Sequence, residues 1–141
     1  MIAFSFPAMP YALVDHTADM ALRVRAPSIE ALFAEAALGL CEVLDARTSY
    51  PEETLRVELE GMDMEDLLVR WLQEVLYLVG VKGFRVYTVG RIAVAGTCLA
   101  AELEGAFGCG TLALEVKAVT YHGLSIERDG GDVTATVVLD V

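Results

Sequence analysis

Basic residues are scarce in this chain. Ten Lys and Arg stand against 21 Asp and Glu, a formal net charge of −11. A protein that grips nucleic acid directly draws most of its affinity from cationic neutralisation of phosphates, so this balance argues against such a role. It favours divalent cations or a basic protein partner, besides the plainer benefit of solubility. Cysteine is also sparse: Cys41, Cys98 and Cys109 are odd in number, widely spaced and without a C-x-x-C pair. That pattern points to buried free thiols in a reducing compartment and to no zinc site. Long apolar runs are missing as well. The chain is 55% hydrophobic, yet charges interrupt every segment before the roughly 18 residues a membrane helix needs. Residues 1–10 are apolar but have no basic lead and contain Pro7 and Pro10, so they read poorly as a signal peptide and a cytoplasmic location is expected. No G-x-x-x-x-G-K-[ST] or G-x-G-x-x-G phosphate loop occurs, and no Ser-His-Asp or Cys-His spacing stands out.

What is present is pattern. At 141 residues the chain is expected to form one domain whose core needs no metal or disulfide staple, with 1–10 as a loosely ordered lead-in. Met20, Leu22, Val24 and Ala26 alternate with Arg23 and Arg25, the period-two signature of a half-buried strand. Pro27 stops it. Ser28 is placed to cap a helix with Glu30 in its first turn, and Ile29, Leu32, Phe33, Ala36, Ala37, Leu40, Val43 and Leu44 follow at helical spacing. Residues 45–53 form a polar loop, and Leu55, Val57 and Leu59 alternate with charges in a second strand. Asp63, reinforced by Asp66, caps a second helix whose apolar stripe runs from Leu67 to Val79 and which Gly80 ends. Trp71 and Tyr77 are expected in the core rather than on a ligand surface. Beyond Gly83, short strands are predicted at 84–89, 91–95, 98–104, 112–121, 124–128 and 133–139, with a tight hairpin turn at Asp129-Gly130-Gly131-Asp132. The fold class is therefore α+β: two amphipathic helices packed on a largely antiparallel β-sheet.

Two places carry chemistry. Asp15, His16 and Asp19 fall within five residues ahead of the first clear strand, a set that binds a metal, moves a proton or simply shapes a turn. At the far end, Val133, Ala135, Val137 and Leu139 share one strand face, which leaves Thr134, Thr136, Val138 and Asp140 on the other. Asp140 stands beside the α-carboxylate of Val141, and two acids that close repel unless solvent or a cation separates them. With Asp19, and with Asp15, they would make an oxygen-rich site suited to Ca²⁺, Mg²⁺ or Mn²⁺; the alternative is a solvated strand end without function. The second place is 115–122, where alternation sets Glu115, Lys117, Val119 and Tyr121 against Val116, Ala118, Thr120 and His122. Lys117 there is either an edge-strand guard against aggregation or a charge offered to a phosphate or a partner's carboxylate. His122, next to Gly123, reads as a strand-end histidine rather than a base or ligand.

Taken in series, four stretches resemble the archease family: D-H-T-A-D at 15–19, D-L-L-V-R-W-L-x-E-x-L-Y-L at 66–78, E-V-K-A-V-T-Y-H-G-L at 115–124 and the closing L-D-V at 139–141. The resemblance implies a small cytoplasmic protein, a single archease-like domain, that assists an RtcB-type RNA ligase in tRNA splicing or RNA repair. Such a protein promotes guanylylation and multiple turnover of the ligase, touches RNA only indirectly, and is an activator rather than an enzyme. Position by position, Asp19 and Asp140 fall on the family's divalent-metal ligands, with the carboxylate of Val141 alongside. Asp15 falls where the family carries an acid, and Lys117 on a lysine associated with ligase activation. His16 and His122 are left for hydrogen bonds behind the ligands. The segment 105–114 departs from the family, being short and uncharged where relatives carry a longer, charged stretch. Two readings from other classes stand beside this one: a metal-dependent hydrolase centred on Asp15, His16 and Asp19, and a chaperone-like binder exposing an apolar patch.

Overall fold

The structure, a computed structural model, describes residues 3–5, 11–16, 19–108 and 110–141, with backbone alone for 3–5 and 12–16. The expected lead-in at 1–10 thus falls mostly outside the described residues, as does Cys109. The elements run in the order β1 (Ala3–Ser5), β2 (Tyr11–His16), β3 (Asp19–Ala26), α1 (Ile29–Leu44), β4 (Glu53–Glu60), α2 (Met64–Gly80), β5 (Phe84–Ala95), β6 (Cys98–Phe107), β7 (Ala118–Asp129) and β8 (Asp132–Asp140).

Both helices begin where short polar side chains meet the first free amides. The Ser28 hydroxyl accepts from the Ala31 N–H at 3.1 Å, and the Asp63 carboxylate accepts from the Asp66 N–H at 2.8 Å. Acidic Glu30, and Glu65 with Asp66, then occupy the first turns, where the helix dipole favours negative charge. The far end of α2 differs from expectation. Gly80 is its last helical residue, Val81 caps it, and the positive φ of 76° is taken by Gly83 in the turn that follows.

The α+β class stands, and the strands divide between two sheets. One is five-stranded, in the order β1-β2-β3-β8-β7; the other is three-stranded, in the order β4-β6-β5, and all their pairings are antiparallel. Both helices touch strands of both sheets, α1 chiefly β3 and β5, and α2 chiefly β7. The core lies between them. Trp71, Phe33, Phe84, Leu22 and Leu40 are fully buried in it, and the Trp71 indole donates to the Phe33 carbonyl at 2.8 Å, which ties the two helices together. Tyr77 is not part of this core: it is 45% exposed, because it falls off the stripe that Leu68, Trp71, Leu72, Val75 and Val79 line.

Three strand predictions need correction. Residues 84–89 and 91–95 are one strand, β5, which passes through Gly90 by two irregularities in its pairing with β6. Residues 112–117 are not strand: β7 begins at Ala118, so the alternation expected from Glu115 onward fails, and Val116 and Val119 are both buried. From Ala118 the strand continues to Asp129 across a bulge between Thr120 and Ser125, which joins the predicted 124–128 to it. The hairpin at Asp129–Asp132 is as expected, with φ of 59° and 98° at Gly130 and Gly131, the left-handed pair that a two-residue turn requires. Its two aspartates are bridged by Arg25 of the neighbouring β3, at 3.2 Å and 2.8 Å.

Candidate functional site

β8, although last in sequence, lies between β3 and β7 in the five-stranded sheet. Its register sets Asp140 directly opposite Asp19 on one side and Ala118 on the other, while His16 of β2 lies opposite Asp19. One cross-strand row therefore reads His16, Asp19, Asp140, Ala118. Partners in a row share a face of the sheet, so the Asp19 and Asp140 carboxylates stand side by side, both partly exposed. Two rows further along on that face are Ala21 and Val138, 1% and 9% exposed, an apolar pair separate from the main core. The two acids thus border a small apolar patch.

Like charges directly opposite each other on a sheet are destabilising unless something neutral or positive intervenes. Hard carboxylate oxygens suit Ca²⁺, Mg²⁺ or Mn²⁺, so the donor chemistry present fits a divalent ion. Among the described residues no three His, Cys, Asp or Glu side chains are grouped closely enough to hold a metal, and Asp19 and Asp140 by themselves offer two carboxylates. Val141 follows Asp140 immediately and packs its side chain against the core. Asp15 pairs with Met20, in the row next to the Asp19–Asp140 row. The side chains of Asp15 and His16 lie outside the described residues, and the structure places these two by register alone.

Lys117 is brought to the same place by its backbone. Its N–H donates to the Asp140 carbonyl at 2.7 Å, and its side chain is exposed. It lies just before β7, the edge of its sheet, and borders a groove of about 550 Å³ whose walls include Leu44, Leu76, Tyr77, Leu112 and Leu114. His122 is not brought to the row. It is exposed in the β7 bulge, with its N–H on the Thr120 hydroxyl at 3.3 Å.

A cluster that sequence reasoning missed joins the start of α2 to β7. Asp66 is 3% exposed and accepts three hydrogen bonds, from the Tyr121 hydroxyl at 2.6 Å, the Arg70 guanidinium at 2.7 Å and the Met62 N–H at 2.8 Å. These donors, Tyr121 foremost, pull its carboxyl down to about 2. Sharing the same bond lifts the Tyr121 hydroxyl above its ordinary value. The sequence marks Asp66 only as a helix-start acid, because Tyr121 is 55 residues away and nothing local links them.

Comparison with known proteins gives a consistent picture. The model of the Archease protein family matches residues 11–141. The protein archease of Archaeoglobus fulgidus is 34% identical over 137 residues, covering 94% of this chain and all of the relative. That of Methanopyrus kandleri is 34% identical over 142 residues, again covering 94% of this chain and all of the relative. Among solved structures, the solution structure of Methanobacterium thermoautotrophicum protein 1598 superposes with a TM-score of 0.78 at 28% identity, covering 94% of this chain and 99% of that one. A crystal structure from Thermotoga maritima, named an archease and possible chaperone, gives a TM-score of 0.65 at 26% identity, with coverage of 91% and 94%.

Proposed function

The chain belongs to the archease family, and from that premise we propose that it is a cytoplasmic activator of an RtcB-type RNA ligase in tRNA splicing or RNA repair. It promotes guanylylation of the ligase and so its multiple turnover, and has no catalytic activity of its own. The observation that carries this reading is the juxtaposition of the Asp19–Asp140 carboxylate pair with Lys117, whose amide bonds Asp140. A divalent ion bound there would supply positive charge to offset the phosphates of GTP as a nucleophile of the ligase attacks its α-phosphate and pyrophosphate leaves. Asp19 and Asp140 hold that ion, with Asp15 and the carboxylate of Val141 as the further donors expected. Lys117 presents a second cation from the neighbouring strand end. The net charge of −11 supports a role in which RNA is handled by the ligase and not gripped by this chain.

The test is ligation by the ligase, at fixed GTP and Mn²⁺, with and without this protein. The proposal expects one or few products per ligase without it and many with it. Equal yields would overturn the activator reading, and phosphoester hydrolysis by this chain alone would favour the metal-dependent hydrolase in its place.

One observation favours a second reading. The groove beside Lys117 is walled by Leu44, Leu76, Leu112 and Leu114 and bordered by exposed Tyr77 and Val81, a surface of the kind a chaperone-like binder uses. The possible-chaperone name of the Thermotoga maritima relative is in line with it. Binding of an environment-sensitive apolar dye to the native protein, competed by unfolded polypeptide, would support that reading; absence of dye binding would remove it.

A further inference from the structure

Resting on the ligase-activator reading, we propose that Asp66, Tyr121 and Gln73 form a clamp that holds residues 117–120 in register against Asp140. They are thereby positioning residues for Lys117. The need for a clamp follows from the strand itself. β7 pairs with β8 over Ala118–Thr120 only, and then four residues, 121–124, bulge out opposite the single residue Val137 before pairing resumes at Ser125. On the other side of this short ladder the described chain is irregular from Gly110 to Lys117. A three-residue ladder between two irregular stretches, at the edge of a sheet, has little of its own to keep it closed.

Two side chains of α2 reach across to hold it. Gln73 donates its amide to the Val119 carbonyl at 3.3 Å, the group that faces away from β8 in the middle of the short ladder. Asp66 accepts the Tyr121 hydroxyl at 2.6 Å, at the first residue of the bulge. Asp66 is in turn fixed by Arg70 and by the Met62 amide, so its carboxylate is a rigid acceptor rather than a floating one. The helix is well anchored, since Trp71 and Leu72, between the two clamping positions, are fully buried. The clamp therefore carries the stability of the core to the strand end that brings the Lys117 amide onto the Asp140 carbonyl. Nothing else among the described contacts of Tyr121 requires a phenol: the ring is 55% exposed, so its hydroxyl and not its burial is what the site uses.

The experiment compares wild type with Tyr121→Phe and Gln73→Ala in three measurements: amide hydrogen exchange at Lys117, Mn²⁺ binding, and stimulation of the ligase as a function of protein concentration. Tyr121→Phe is expected to speed exchange of the Lys117 amide by about tenfold, the scale of one hydrogen bond to a charged group. Amides between β3 and β8 are expected to stay protected. Maximal stimulation is expected to fall several-fold while the concentration giving half-stimulation and the Mn²⁺ affinity stay within about twofold, a pattern that general destabilisation does not produce. Should Tyr121→Phe prove unfolded, Gln73→Ala, at an exposed position, carries the same comparison. Unchanged Lys117 exchange, or unchanged maximal stimulation, overturns the clamp. A wild-type protein that fails to stimulate the ligase overturns the activator reading itself, and that failure is visible before any variant is examined.

Discussion

Asp19 and Asp140 are direct cross-strand partners on adjacent antiparallel strands, with His16 and Ala118 extending their row on either side. Two carboxylates directly opposite each other on one face are a local cost of about 0.2–1 kcal/mol when no cation lies between them. Asp140→Asn is therefore expected to leave the fold intact and to match or slightly exceed wild-type thermal stability in chelator. Adding Mn²⁺ or Ca²⁺ is expected to raise the melting temperature of wild type but not of the variant, because only a native state that binds the ion is stabilised by it. Differential scanning fluorimetry with and without chelator checks both.

Acid stability follows from Asp66. Its carboxyl is held at about 2 in the folded protein, below the value of about 4 that an aspartate has when unfolded. A lowered folded value contributes stability that is present above about pH 4 and lost as the pH falls through about 2. Asp66→Asn removes that contribution. The difference in denaturant midpoint between wild type and Asp66→Asn should therefore narrow between pH 5 and pH 2.5. A difference independent of pH would mean that the three bonds to Asp66 do not favour its charged form.

Much of this architecture was legible in the chain, for physical reasons that can be named. Ser28 and Asp63 are short acceptors just ahead of apolar stripes, and both cap helices. The Gly130-Gly131 pair accepts two positive φ angles in succession, and the hairpin forms there. Half of the candidate site was legible too, since the alternation of β8 puts Asp140 opposite the Leu139 face. What local pattern does not encode is which strands become neighbours. The pairing of β8 with β3, the division into two sheets and the Asp66–Tyr121 bond are long-range choices made by the core as a whole. Bulges are hidden for a related reason. The extra residues of 121–124 shift the alternation of β7, so a period-two reading across them assigns faces wrongly. Tyr77 failed the expectation of burial because a helix stripe is about 100° wide and it lies outside that arc.

Gly105 is a packing requirement of the smaller sheet. A β-carbon there would collide with the Arg85 carbonyl and the Phe84 ring of the adjoining β5, both of them held by the core. Gly105→Ala is expected to destabilise the protein by about 1–3 kcal/mol, the range for forcing volume into a filled core. Gly96→Ala, where the space is open but φ is +61°, separates crowding from backbone strain. Urea unfolding of both variants checks the order, with the larger loss expected at Gly105.

The cysteines differ in reach. Cys41 is fully buried on α1, as expected, and burial pushes its thiol up to about 12, whereas Cys98, expected to be buried, is exposed at the start of β6, where the strand end leaves its side chain open to solvent. A thiol reagent at pH 8 should label Cys98 in the native protein and Cys41 only after unfolding, because the reactive species is the thiolate. Peptide mass spectrometry after brief and exhaustive labelling reads the two sites separately.

On the proposed function, the Asp19–Asp140 site acts on the ligase by promoting guanylylation. The most direct test is the rate at which the ligase acquires labelled GMP from GTP at fixed Mn²⁺, with wild type or with Asp140→Ala. Wild type is expected to accelerate labelling, and Asp140→Ala, folded by circular dichroism, to leave the rate at that of the ligase alone. Full acceleration by Asp140→Ala would contradict it.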